Sequence, residues 1–483
     1  MCVYNCIYIE LITTTHHNHS SSIHKKLMGI PHILVLPFPA QGHVNPLMHL
    51  SKRLVQHGFK ITFLNTDFNH KRVVSATNEH VNLEGPRMRL ISIPDGLGPE
   101  DDRNDLASLC VAMLRTMPSL VERVIEDING LDDDASEKIS GIIADVNMSW
   151  ALEIADKLGI KGAVLCPSAA AISAMQESIP KLIQDGILDS NGLPVKNRKF
   201  QILPGMPIMD TADIPWCIGD STSMKIIFDY VVRLVQWSHL TDWRLCNTTS
   251  DLEPEALSLC PKILPIGPLM ESDDNLRSLG QFWEEDLSCL SWLDQQPPCS
   301  VIYIAFGSFT VFDPLQFKEL ALGLELTNKS FLWVVREDID TKGNTKTAYP
   351  DEFQGTRGKI VKWAPQQKVL RHPATACFIS HCGWNSTVEG LSNGVPFLCW
   401  PYFADQVFDK SYICDVWKVG LGFDLDEKGL ISRWEIKKKV DQLLGDDNIR
   451  GRSQKLKGMI VNNTLEGGQS YENFNKFVEW LKE

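Results

Sequence analysis

From His32 onward the chain alternates short, continuously apolar runs with longer amphipathic stretches. The run HILVLPFP (32–39) lacks a polar alternation, as expected of a parallel strand covered on both faces. After the turn AQGHV, Asn45 can cap a helix with Pro46 in its first position, and Leu47, Leu50, Leu54 and Val55 fall on one face. Gly58 ends that helix and KITFLNT (60–66) opens a second strand, which completes a βαβ unit. Apolar runs at 89–94, 140–145 and 162–167 extend the series. Near Leu252 the texture changes to a Pro-rich and acidic segment, which predicts a connection between domains. A second series follows, with strands predicted at 300–308, 330–336, 358–365, 376–381 and 395–401 and a helix capped by Asp313 and Pro314. Two similar α/β halves imply a cleft, with ligands at the carboxyl ends of the strands.

Composition narrows the function classes. A chain of 483 residues exceeds one ordinary core, and 43% hydrophobic with 22% charged residues is typical of a globular protein. The net charge of −13, with no dense Lys/Arg block, argues against nucleic acid. The 13 cysteines are scattered without framework spacing, which favours free thiols in a reducing, cytoplasmic setting. Residues 1–27 make a poor signal peptide and read as a disordered extension before Met28. No stretch is long and apolar enough to predict a membrane span.

The segment ISHCGWNSTVEG (379–390) reads as strand end, glycine turn and helix start. Unpaired N–H groups and the positive end of the helix dipole would face the cleft and suit a phosphate. Gly383 would let a ligand approach the backbone, and Asn385 and Ser386 add donors. The pattern Ser386-x-x-Glu389 equally fits a capping box that needs no ligand, and the local pattern does not separate the two. No metal is expected: Cys377, His381, Cys382 and His372 make a poor zinc set, because a strand alternates faces and adjacent His-Cys cannot easily share one tetrahedron. A nicotinamide dehydrogenase is disfavoured, since no G-x-G-x-x-G follows a predicted strand.

The stretch from Trp363 to Gln406, WAPQQKVLRHPATACFISHCGWNSTVEGLSNGVPFLCWPYFADQ, closely resembles the signature box of plant UDP-dependent glycosyltransferases, sugar-transferase family 1. The likeness runs over nearly the whole chain from Met28 and includes PFPAQGHVNPL, the FGS turn (306–308) and EGGQS (466–470), where Gln469 replaces the Ser of many relatives. The overall look is nearest to the family 83 type. The resemblance implies a GT-B fold of two Rossmann-like α/β domains: an acceptor domain (28–252), a linker (253–290), a UDP-sugar domain (291–465) and a terminal helix (466–483) that packs back on the first domain.

It also implies residue roles. Trp363 stacks on uracil, Ala364 and Gln366 bond its edge, and Glu389 takes the ribose diol. His381, Gly383, Asn385 and Ser386, with Gly307 and Ser308, hold the pyrophosphate. Trp384, Asp405 and Gln406 lie against the sugar, Gln at the last position being the version usually associated with glucose. His43 is the general base, Asp145 its partner, and Ser168 a hydroxyl near the sugar. Side-chain chemistry agrees: an indole offers a π-face to a planar base, a carboxylate accepts two hydroxyl protons, and an imidazole can donate to a phosphate.

The implied activity is metal-independent, inverting transfer of glucose from UDP-glucose, the donor co-substrate, to a hydroxyl of a small lipophilic, phenolic or flavonoid-like acceptor. A nucleotide-sugar binding protein without turnover is the alternative, and the presence of both His43 and Asp145 argues against it. The acceptor is expected against 94–97, 148–150 (with Met148 and Trp150) and 206–209, on a monomer without nucleic-acid or membrane partners.

Overall fold

The computed structural model describes residues 7–9, 30–76, 87–130, 137–271, 280–336 and 349–483. The strands in chain order are β1 (Ile7–Ile9), β2 (His32–Leu36), β3 (Lys60–Thr66), β4 (Met88–Ile93), β5 (Ile139–Asp145), β6 (Lys161–Cys166), β7 (Lys199–Phe200) and β8 (Met209–Asp210). They continue with β9 (Arg244–Cys246), β10 (Ile263–Pro265), β11 (Val301–Ala305), β12 (Ser330–Val334), β13 (Gly358–Val361), β14 (Thr375–Ser380), β15 (Phe397–Cys399) and β16 (Gly420–Gly422).

One sheet has the order β1-β4-β3-β2-β5-β6-β9-β10 and the other β13-β12-β11-β14-β15-β16, while β7 and β8 form a small antiparallel pair. All neighbours in the two large sheets are parallel except β1, which runs antiparallel to β4. Each sheet therefore reverses its winding once, between β2 and β5 in the first and between β11 and β14 in the second. These are the switch points at which helices diverge and leave a crevice at the strands' carboxyl ends.

The unbroken apolar runs are explained by cover on both faces. Ile33 and Val35 of β2 join one core cluster, Leu34 and Leu36 join the opposite one, and all four are fully buried. In the second sheet Val301 and Tyr303 face one cluster and Ile302 and Ile304 the other. The first of these clusters also holds Cys166 and Met175 of the N-terminal domain and Trp384 and Phe408 of the C-terminal one, so an apolar core crosses the interface.

Several boundaries differ from the sequence reading. β2 stops at Leu36 because Pro37 and Pro39 cannot donate to the ladder. The following helix begins at Gln41, with Ala40 at its N-cap, and not at Asn45; Pro46 lies inside it. The first domain continues past Leu252 through helix Pro254–Leu259 and β10, since β10 pairs with β9. The connection therefore begins after Pro265. Of the expected N-terminal extension, Ile7–Ile9 is a strand, and the rest lies outside the described residues. The helix Gln469–Lys482 lays Phe474, Phe477, Val478 and Leu481 into the first domain's core beside Phe59 and Ile61, and Asn473 Nδ2 donates to Pro265 O at 2.9 Å.

Candidate active site

Both switch points open into one cleft of about 650 Å³. It is lined by His43 and Ser168 from the first domain and by Gly307, Ser308, Trp363, Ala364, Gln366, His381, Gly383, Trp384, Asn385, Ser386, Glu389, Asp405 and Gln406 from the second. Asp145 lies behind the wall, fully buried, and reaches the cleft through His43.

His43 stands in the first turn of helix Gln41–Gln56, just beyond β2, and Asp145 is the last residue of the neighbouring β5. His43 Nδ1 and Asp145 Oδ2 are 2.7 Å apart. The other carboxylate oxygen, Oδ1, accepts from Asn147 N at 2.8 Å, which fixes the carboxylate at the head of a 3-10 turn. With Nδ1–H donating to Asp145, the lone pair of Nε2 is the free basic site. Burial works against charge on the imidazole, but the charge and hydrogen bond of Asp145, helped by Asp405 across the cleft, lift its pKa above the ordinary 6.5.

On the opposite wall, β14 is followed by His381, Cys382 and Gly383, and helix Trp384–Asn393 begins with Gly383 as its N-cap. Cys382 takes a left-handed backbone (φ 67°), with its N–H donating to Ser380 Oγ at 3.0 Å. The His381 ring is wedged between two glycines: a Cβ on Gly307 would come within 2.5 Å of Nε2 and one on Gly383 within 2.6 Å. Burial, and then the charge of Arg336, push the His381 pKa down to about 4, so the ring is neutral at pH 7 and can still donate a hydrogen bond.

The capping-box alternative does not survive. Ser386 lies within the first turn of the helix and not at its cap, and its Oγ accepts from Gln366 Nε2 at 2.9 Å. Glu389 turns outward to Gln366 Nε2 (2.6 Å) and Gln367 Nε2 (3.0 Å), and burial raises its pKa to about 7. Trp363, partly exposed, follows the edge strand β13 and offers a ring to the cleft, with its Nε1 donating to Gln281 Oε1 at 3.2 Å. Asp405 precedes helix Gln406–Ser411 without a capping hydrogen bond, and Gln406 Oε1 accepts from Tyr402 N at 2.8 Å.

The expected acceptor linings are corrected. Met148 and Trp150 are buried in the first domain's core, where the 3-10 turn after Asp145 points them inward. Met206 and Met209 are also core, and none of 94–97 borders the cleft. The first-domain side of the cleft is lined instead by residues such as Phe38, Cys110, Val146, Ile172, Tyr230 and Leu234. Helices Leu106–Gly130 and Ser221–Ser238 supply three of these, and amphipathic spacing alone does not show which edge of a helical stripe borders a cavity.

Sequence reasoning does not single out Asn247. It is buried between the domains: Nδ2 donates to Asn385 Oδ1 (3.3 Å), Oδ1 accepts from Leu269 N (2.7 Å), and its carbonyl accepts from Trp384 Nε1 (2.8 Å). Its place just beyond β9, at the carboxyl edge of the sheet, was the available signal.

Known proteins resemble this chain in sequence and fold. Residues 32–83 match the family model described as "Glycosyltransferase, N-terminal domain", and residues 267–453 match "UDP-glucoronosyl and UDP-glucosyl transferase". The chain is 45% identical to UDP-glycosyltransferase 83A1 of Arabidopsis thaliana over 95% of its own length and 98% of that protein's. It is 33% identical to 7-deoxyloganetin glucosyltransferase of Gardenia jasminoides over 93% and 97%. Among solved structures, Os79 from O. sativa in complex with UDP superposes with a TM-score of 0.77 at 26% identity, covering 93% of this chain and all of that one. UGT2 of Phytolacca americana, complexed with UDP-2fluoro-glucose and pterostilbene, gives 0.74 at 26% identity over 94% and 99%. With two parallel-sheet domains meeting at one cleft and this likeness running almost from end to end, the chain belongs to the UDP-glycosyltransferase family.

Proposed function

We propose that the protein transfers glucose from UDP-glucose to a hydroxyl of a small lipophilic, phenolic or flavonoid-like acceptor, with inversion to a β-glucoside. The observation that carries this reading is the 2.7 Å pair of His43 and Asp145 in the cleft that also holds Trp363, His381 and Glu389. His43 Nε2 takes the acceptor's proton as its oxygen attacks the anomeric carbon. The bond from that carbon to UDP breaks, and the imidazolium is stabilised by Asp145. Charge arriving on UDP meets the helix start at Gly383–Asn385, the Gly307–Ser308 turn and neutral His381.

We place uracil against Trp363, the ribose diol on Glu389 and the sugar near Asp405 and Gln406. The pterostilbene complex of the Phytolacca relative supports a phenolic acceptor. The acceptor wall supports a neutral one: it is largely apolar, and no Lys or Arg lines the cleft among the described residues. The free thiols of the described cysteines fit a cytoplasmic setting.

The test is UDP release from UDP-glucose with a panel of plant phenols, comparing the protein with His43→Ala and adding EDTA. Release that needs an acceptor, survives EDTA and collapses in the variant supports the reading. UDP-glucose binding without any turnover would favour a binding protein.

A further inference from the structure

We propose that Trp283 is a positioning residue for the nucleotide: it braces the face of Trp363 turned away from the cleft, so that Trp363 presents a fixed ring to the base. The inference rests on the donor reading above. The two indoles lie with ring centroids 4.6 Å apart and planes inclined by 31°. Trp363 borders the cleft and Trp283 is not among its lining residues, which fits the far side of the ring for Trp283.

Trp363 needs such a support. It lies in the irregular segment after edge strand β13, where regular structure does not immobilise a partly exposed side chain. Two hydrogen bonds to the segment that carries Trp283 complete the hold: Trp363 Nε1 donates to Gln281 Oε1 at 3.2 Å, and Asp286 N donates to Trp363 O at 2.9 Å.

Trp283 is itself held from both domains. The Arg72 guanidinium, from helix Asp67–Ala76 of the first domain, lies 4.4 Å from its ring centroid and 4.7 Å from that of Phe282. Arg336, 5.4 Å from the same indole, donates to Gly307 O (2.8 Å) and Thr310 O (3.0 Å) of the turn assigned to the pyrophosphate. Phe282 N donates to Gln41 Oε1 at 2.7 Å, close to His43. A cation above an indole and an indole beside an indole are both attractive arrangements. The pair Phe282–Trp283, outside the signature box, thus links the base platform, the phosphate turn and the helix bearing the proposed base.

The test is calorimetric titration of the whole protein with UDP and with 5,6-dihydro-UDP, whose base is puckered and not aromatic. Wild type is expected to prefer UDP by roughly tenfold, the scale of one base–aromatic stack. Trp283→Ala should lose roughly tenfold for UDP and little for the dihydro analogue, whereas Trp283→Phe should keep most of the preference. If the alanine variant does not fold, Trp283→Leu carries the same readings. Unchanged UDP binding, or an equal loss for both ligands, overturns the inference. A wild-type protein that binds no UDP would overturn the donor reading instead.

Discussion

The side-chain amide of Asn385 donates to the carbonyl of Gly42, and that carbonyl lacks its helical donor because the residue four positions on is Pro46. The proline that interrupts the ladder of helix Gln41–Gln56 thereby exposes an acceptor to the facing domain, one residue before His43. Asn385 in turn accepts from Asn247 at 3.3 Å, so the helix that starts the proposed phosphate wall is tied to the helix that bears the proposed base. Asn385→Asp replaces the donor by a carboxylate aimed at a carbonyl. Steady-state kinetics should show kcat/KM for the donor sugar falling by about tenfold or more, the scale of a lost hydrogen bond plus a repulsion.

His43→Ala removes the proposed base, and turnover should fall by about 10²- to 10⁴-fold while UDP affinity changes little. Asp145→Asn should give a comparable fall in turnover, because an amide no longer enforces the tautomer that leaves Nε2 basic. Product formation and calorimetry with UDP on the same samples separate the two effects. A large loss of UDP affinity in either variant would contradict the assignment.

The raised pKa of His43 sets the sign of two pH dependences. The proposed mechanism needs the neutral ring, so kcat/KM should rise with pH through an acid limb placed above 6.5, and Asp145→Asn should move that limb to lower pH. Stability runs the other way. A group whose folded pKa is raised contributes stability that is fully present below its unfolded value and is lost as pH rises through its folded value. Melting curves and rates recorded across that window should therefore trend in opposite directions, with the melting trend weakened in the variant.

The terminal helix tests a packing claim. Phe477 is fully buried in the first domain's core, with Trp480 stacked on Trp243 at 4.8 Å. Phe477→Ala should cost about 3–5 kcal/mol in urea unfolding. Deleting residues 466–483 should lower the melting temperature further, and an unchanged value would show that the helix contributes no stability where it docks.

The apolar runs placed the longer strands of the two large sheets, because a strand covered on both faces cannot alternate, but β1, β9, β10 and β16, of three residues each, make no run long enough to stand out. They overran the strand ends: the runs at 32–39 and 300–308 carry apolar residues on into Pro37–Pro39 and the Phe306–Gly307 turn, which are buried or half-buried without joining a ladder. The start of the first helix was misplaced for a related reason. Asn45-Pro46 is a good local opening, yet the helix begins one turn earlier and tolerates the proline because the orphaned Gly42 carbonyl finds Asn385.

The sequence by itself determined what is periodic or contiguous: the α/β alternation, its repetition in two halves, and the cluster of donor-type residues after particular strands. Tertiary structure alone decided which side chains meet across long separations. His43 and Asp145 are 102 positions apart and become neighbours because β5 joins β2 at a switch point. Trp283 reaches Trp363, Asn247 reaches Asn385, and Met148 turns into the core while Val146 faces the cleft. Pairings of this kind depend on strand order and domain docking, and a local pattern carries no distance information about either.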